Sequence, residues 1–259
     1  MLTKQHYLRE LCDNLDYVPT WLPTISVAAG EIGFVRDYEY KRFGNLRDFG
    51  IKYEITQGKI YADLEYSSAD SVAVTLKLMG QMPPVGSVLS VDELGLSIDF
   101  SRANAVVFRA AGCQSQRLDN LFQIGMRVLE LHKVGKWPQD AVVVTEAVHA
   151  ASATIVISSG QKAHLDLRAG TVDPGNLHVA SVDARLQIAR EDNIGMKIIA
   201  QSALTPLMRV AGVQTRLMRS PAFRGSEVAT TKIPEVHNQN DELLRFEDVS
   251  YEDYELSVT

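Results

Sequence analysis

The chain has 259 residues, 46% of them hydrophobic and 22% charged, with a formal net charge of −6. That is the composition of a globular protein, and it excludes a chain disordered throughout. The negative balance speaks against a resting state that binds nucleic acid or an anionic membrane.

No run approaches the roughly 18 apolar residues of a transmembrane helix, and no charged segment leading into a short apolar one opens the chain. The sequence therefore predicts a protein made soluble and kept inside the cell. Its two cysteines, Cys12 and Cys113, have no metal-ligand spacing and are too few for a disulfide framework, which suits a reducing compartment. The length allows one large domain or two small ones. With no linker-like stretch before about residue 220, one large body is expected.

In chain order, Leu8, Leu11, Cys12 and Leu15 recur at helical spacing, and Asp16 and Pro19 end that first helix. Leu22 to Gly33 is rich in small residues and reads as strand or loop; Lys41 to Gly50 reads as a short helix closing on Gly50. From Ile51 the period becomes two. Tyr53 and Ile55, then Ile60, Ala62 and Leu64 after a Gln57-Gly58 turn, predict a hairpin, followed by a strand over Val72 to Met79. Leu94, Leu96, Ile98 and Phe100 alternate with Gly95, Ser97, Asp99 and Ser101, predicting a strand with one apolar and one polar face.

Between Gln116 and Lys136 the helical period returns, with Leu118, Leu121, Phe122, Gly125, Val128, Leu129 and His132 on one stripe and Gly135 and Pro138 as the stop. Strands are predicted over Ala141 to Val148, Thr154 to Ser158 and Ala163 to Arg168, then a hairpin of Val179 to Ala189 with Gly195 to Gln201 across Glu191-Asp192-Asn193. Leu204 to Met218 reads as helix. Strands and helices in this order, without regular βαβ alternation, predict an α+β domain on a largely antiparallel sheet.

After Pro221 the composition shifts to Gly, Ser, Thr, Asn, Gln and Pro as far as Asn240, which reads as an exposed, mobile connection. From Ile233 to Thr259 eight acids stand against one base, Arg245, giving −7 and leaving about +1 for the rest of the chain. Losing this tail would remove a repulsion from anionic lipid. Seven large apolar residues punctuate it: Leu243, Leu244, Phe246, Val249, Tyr251, Tyr254 and Leu256. A merely solvated tail does not need them, so the segment is expected to dock on the body. The expected division is a body over 1–223, a protease-sensitive linker over 224–241 and a docked tail over 242–259.

No phosphate-binding loop, dinucleotide fingerprint, nucleophile elbow or zincin motif is present, and neither an enzyme activity nor a cofactor is expected. Glu146 and His149 sit three residues apart in a strand-like run, where they face opposite ways and so read as structural rather than as an acid-base pair or metal ligands. Cys113, ahead of a helix-like run, reads as a packed thiol more than a nucleophile. The segments Leu89 to Ala110 and Ala163 to Gln201 have the alternation of membrane-spanning strands about 10 residues long, and equally that of a half-buried sheet in a soluble protein.

Three stretches carry a resemblance: Ser97-Ile-Asp-Phe-Ser-Arg-Ala-Asn-Ala-Val-Val-Phe-Arg-Ala-Ala-Gly-Cys113; Gly135-Lys-Trp-Pro-Gln-Asp-Ala-Val-Val-Val-Thr-Glu-Ala-Val148 with Ala153-Thr-Ile-Val-Ile-Ser158; and Ala203-Leu-Thr-Pro-Leu207. Together with the opening helix, Asp16-Tyr17-Val18 and Leu22-Pro23, they resemble bacterial gasdermins over about Leu8 to Val210. The resemblance implies a gasdermin-like body, a twisted, largely antiparallel central sheet with peripheral helices and a short C-terminal inhibitory peptide laid across it. It also implies a resting monomer in the cytoplasm and a neighbouring, caspase-like protease that cuts ahead of the peptide. The freed body then assembles large oligomeric pores in the inner membrane, killing the cell as a defence against phage.

The cut is placed between Arg224 and Asp241. Members of the family typically carry a fatty-acylated cysteine very near the N-terminus; here the first eleven residues have none, so Cys12 is the candidate, with a packed thiol as the other reading. The alternative function is a non-lytic α+β binding or scaffold module regulated by its tail.

Overall fold

A computed structural model of the chain describes residues 2–36, 39–60, 63–77, 95–167, 186–191, 194–216, 235–237 and 243–248. Helix α1 (Leu2–Leu15) is followed by the short strand β1 (Val18–Pro19) and the pair β2 (Glu31–Arg36) and β3 (Glu39–Asn45). A 3-10 turn, Leu46–Phe49, leads to β4 (Ile55–Ile60), β5 (Leu64–Ser67), β6 (Val72–Lys77), β7 (Gly95–Phe100), β8 (Val106–Ala111) and β9 (Gln114–Leu118). Helix α2 (Leu121–Lys133) precedes the long strand β10 (Val142–Ser158). Then come β11 (Ala163–Leu167), β12 (Leu186–Glu191), the still longer β13 (Ile194–Arg216), β14 (Glu235–His237) and β15 (Leu243–Asp248). Strand pairs of described register are all antiparallel, so the chain is an α+β protein on largely antiparallel sheet, as its change of period predicts.

Two compact units share the chain. The first comprises Met1–Ser26, Gly58–Ser115 and Val148–Leu207; the second comprises Val27–Gln57, Gln116–Ala147 and Met208–Thr259, so that β10 and β13 each contribute to both. In the first unit β6, β7 and β11 form a separate three-stranded sheet with β7 in the middle. The alternation along β7 is realised there. Ile98 and Phe100 are buried with Ala105, Val107, Val156, Ala163 and Ile194, while Asp99 is exposed and faces His164 across the ladder. Strand β8 pairs with β5 and with the latter part of β10, and β12 pairs with the start of β13. Helix α1 buries Tyr7, Leu8 and Leu11 completely, with the Tyr7 and Trp21 rings 5.6 Å apart.

In the second unit the strand order is β14-β15-β13-β10-β2-β3. Helix α2 packs on β14 and β15 and supplies Ile124, Val128 and Leu129 to a core that includes Ile32, Leu46, Ile51, Trp137, Val143, Leu244 and Phe246. Asn45 caps the 3-10 turn, accepting from Arg47 N at 3.0 Å while the Asp48 carboxylate accepts from Asn45 N at 2.8 Å. Gly50 ends the turn at φ 70°, where a side chain would be strained.

Five elements differ from the sequence reading. Of the predicted helix over Leu204 to Met218, the described part, Leu204 to Arg216, is strand: Leu204 to Met208 and Val210 to Gly212 are buried in succession, and a strand covered on both faces shows no alternation to betray it. The Gln57-Gly58 pair is no turn but lies inside β4, and Lys41 to Asn45 belongs to β3. Helix α2 begins at Leu121, because Gln114–Leu118 is a strand, and it buries Ile124 while leaving Leu121 and Phe122 exposed. Val142–Ser158 is one continuous strand, where the sequence predicts two, over Ala141 to Val148 and Thr154 to Ser158. The predicted segments over 78–94, 168–185 and 192–193 lie outside the described residues.

Buried Glu31 shows what desolvation does here. Its Oε1 is 3.5 Å from Arg42 Nε, Oε2 has no hydrogen-bond partner, and burial pushes the carboxyl above the usual range by more than Arg42 pulls it down. A raised folded-state value means that stability is greatest below the ordinary Glu value near about 4.3 and falls as pH rises through the folded value. Glu31→Gln is therefore expected to raise the melting temperature at pH 7, with the gain vanishing toward pH 4; a variant less stable at both pH values would contradict this.

Candidate functional site

The feature that joins the sequence's tail to the body is the ladder between β13 and β15. Ala211 to Arg216 pairs antiparallel with Asp248 to Leu243, so Val213 stands opposite Phe246 and Thr215 opposite Leu244. Strand alternation then sends Leu244 and Phe246 to one face. They are 2% and 3% exposed, among Ile124, Val128 and Leu129 of α2, with Val213 packed against the same core. Burying two such side chains contributes roughly 1.5 to 3 kcal/mol each. Asp248 remains exposed, in keeping with the acidic outer character of the segment.

On the far side, β14 pairs with β15, Glu235 opposite Arg245 and His237 opposite Leu243. Three residues of the stretch 224–241 are thus strand. The registers also fix where the chain leaves and returns: His237 is level with Arg216 and Glu235 with Gln214, two strand spacings away. The ends of the connection 217–234 are then about 12 Å apart on ideal sheet geometry. Its eighteen residues can reach roughly 60 Å. The ladder therefore puts no demand on the sequence of this connection. Val249, Tyr251, Tyr254 and Leu256 lie outside the described residues, as does the side chain of Leu243.

The other residues singled out in the sequence have separate settings. Cys12 is half-buried near the end of α1, and burial, with Asp13 and Asp16 nearby, pushes its thiol up to about 12. Cys113 is buried ahead of β9 rather than ahead of a helix; its thiol donates to Ala110 O at 3.4 Å, and burial raises its value too. Glu146 faces Arg209, its Oε2 3.9 Å from Nε. His149 Nδ1 lies 3.3 Å from Thr205 Oγ1, and burial holds the imidazole below its ordinary value. No cluster of three or more His, Cys, Asp or Glu suited to a metal occurs among the described residues. Sequence reasoning missed Ile124 and Val213, which help form the seat of the C-terminal strand; a period-two reading of Val213 and Thr215 against the β-branched run would have found the latter.

No protein-family model matches the chain, and no curated protein matches it. Among solved structures, that of a bacterial gasdermin from Bradyrhizobium tropiciagri is similar over 81% of this chain and 87% of that one, with 15% sequence identity and a TM-score of 0.39. A likeness at that score assigns neither the fold nor the function of this chain.

Truncating Phe246 to Ala removes a large buried side chain from the core and is expected to cost about 3 to 5 kcal/mol, with amide exchange rising first in Leu243–Asp248. Unchanged exchange there would mean that the strand is held otherwise. Cys12 is expected to react with an alkylating reagent at pH 8 at least tenfold or so slower than a free thiol; an equal rate would show the thiol to be open to solvent.

Proposed function

We propose that this chain is an autoinhibited pore-forming protein of the gasdermin kind, switched on by proteolytic removal of its C-terminal tail. The observation that carries the reading is that a strand of the acidic tail, Leu243–Asp248, completes the second unit's sheet and core while being joined to β13 through a connection longer than its span. The resemblance of the body's segments to bacterial gasdermins supports it further.

In this reading a caspase-like protease, encoded nearby, cuts within Arg224 to Asp241. Cutting alone breaks no ladder. It converts a tethered strand, held at a high effective concentration, into one that dissociates on dilution. Departure of the tail removes most of the chain's net negative charge and opens the edge of β13. The body, a monomer at rest in the cytoplasm, then gathers on the inner membrane into a large oligomer whose strands over Leu89 to Ala110 and Ala163 to Gln201 span it, and the cell dies before phage can spread. No enzyme activity and no cofactor are involved. The tail residues Leu243, Leu244, Phe246, Val249, Tyr251, Tyr254 and Leu256 are the docking anchors. Acylation of Cys12 would add about 0.8 kcal/mol of membrane affinity per buried methylene, provided the end of α1 opens to expose the thiol.

Dye-loaded anionic liposomes test the proposal. Protein ending between Arg224 and Glu235 is expected to release dye, full-length protein to retain it, and a synthetic peptide of residues 235–259 added to the truncated form to suppress release. Retention by every truncation in the series would reject pore formation and favour a non-lytic binding module regulated by its tail. Release that the peptide leaves unaffected would reject docking of the tail as the inhibitory contact.

A further inference from the structure

Glu10, in the middle of α1, has a side chain only 16% exposed. Its Oε1 accepts from Tyr66 Oη at 2.9 Å, from Arg102 Nη2 at 3.1 Å and from Ser68 Oγ. These donors stand at two corners of the first unit. Residues 68–71 form the turn where β5 gives way to β6, and 101–105 the turn where β7 gives way to β8. Strands β5 and β8 pair with each other, while β6 and β7 belong to the separate three-stranded sheet, so each corner is a point where the chain crosses from one sheet into the other.

Further bonds tie the corners together. Ser68 Oγ accepts from Val106 N at 2.7 Å, Arg102 Nε donates to Ser71 Oγ at 2.8 Å, and Ser101 N donates to Ser71 O at 2.9 Å. Arg102 O accepts from the fully buried Ser158, whose Oγ is 2.7 Å away. Ser68 is 1% exposed and Ser71 8%, so neither hydroxyl has water as a ready substitute. Burial first, and then the bond to Glu10, push the Tyr66 phenol up to about 12, which keeps it a donor at neutral pH. Arg102 itself is half-exposed, and as an isolated ion pair its contact with Glu10 would count for little. Its effect here is to share one acceptor with donors from the other corner.

We propose that Glu10 is a latch: by holding both corners from α1, its carboxylate keeps the β6–β7 pair in the resting arrangement, and its release lets that pair swing away from β5 and β8. The latch deepens the pore-forming reading, on which its role in activation rests, by naming the contact that sets the threshold for rearrangement once the tail has gone. As a property of the resting fold it stands apart from that reading.

Amide exchange on the intact, tail-bearing chain tests it. Glu10→Gln, which keeps size and loses charge, is expected to accelerate exchange in Val72–Lys77 and Gly95–Phe100 by about tenfold or more. Exchange in Glu31–Arg36 and Leu243–Asp248 should stay within about twofold. Ser71→Ala, which removes a corner contact and leaves α1 untouched, should move β6 and β7 by a smaller factor and keeps the test open if the first variant folds poorly. In tail-truncated protein, Glu10→Gln should shorten the lag before liposome dye release. No acceleration in β6 and β7 under either substitution, or equal acceleration in both units, overturns the latch. Accelerated exchange in β6 and β7 with no dye release from any truncated form supports the latch and sinks the pore reading alone.

Discussion

Backbone pairing between β13 and β15 is the constraint on which the second unit rests. Six residues of the acidic C-terminal segment supply the strand between β14 and β13, and through Leu244 and Phe246 they add to the core that includes α2. Without them Val213 and the buried face of α2 would meet water, and β13 would present an unpaired edge, the arrangement that sheet proteins otherwise avoid by covering or charging their edges. Within an acidic segment, Leu244 and Phe246 are thus part of the interior.

That dual character gives the proposed switch its physical logic. The strand contributes two buried apolar side chains and the stretch from Ile233 to Thr259 that contains it carries −7, so on the proposed reading holding the tail both completes the core and keeps the chain away from anionic surfaces. A bistable protein needs an element whose removal changes more than one interaction at once, and a strand serves well because its ladder and its buried side chains are lost together. Within the first unit, the corners around Glu10 add a second restraint that does not involve the tail.

Much of the architecture was legible in the residues. The period-two run ending at Phe100, the opening helix with Leu8 and Leu11 inward, and the pairing of β12 with β13 all follow from local pattern and turn chemistry. The failures share a cause. In β13 the buried run from Leu204 to Met208 is apolar on both faces, so neither period shows, and Leu204, Leu207, Met208 and Ala211 fall by chance at helical spacing. Around Gln57-Gly58, turn-forming residues sit inside a strand because β4 pairs with β9, a contact remote in sequence. Phe122 was misplaced because the helix starts later than its stripe suggested. The docking residues Leu244 and Phe246 were visible as apolar residues without a local reason to be there; their seat on Val213 and α2 was not, since it depends on tertiary register.

The excess length of the connection 217–234 has an evolutionary side. Doubling a loop adds only about 0.6 kcal/mol of closure cost, and the registers at its two ends do not fix its composition. Recognition sequences for quite different proteases can therefore be exchanged within it while the strands on either side stay as they are. Under the proposed switch, a lineage carrying this fold is free to change which protease it answers to.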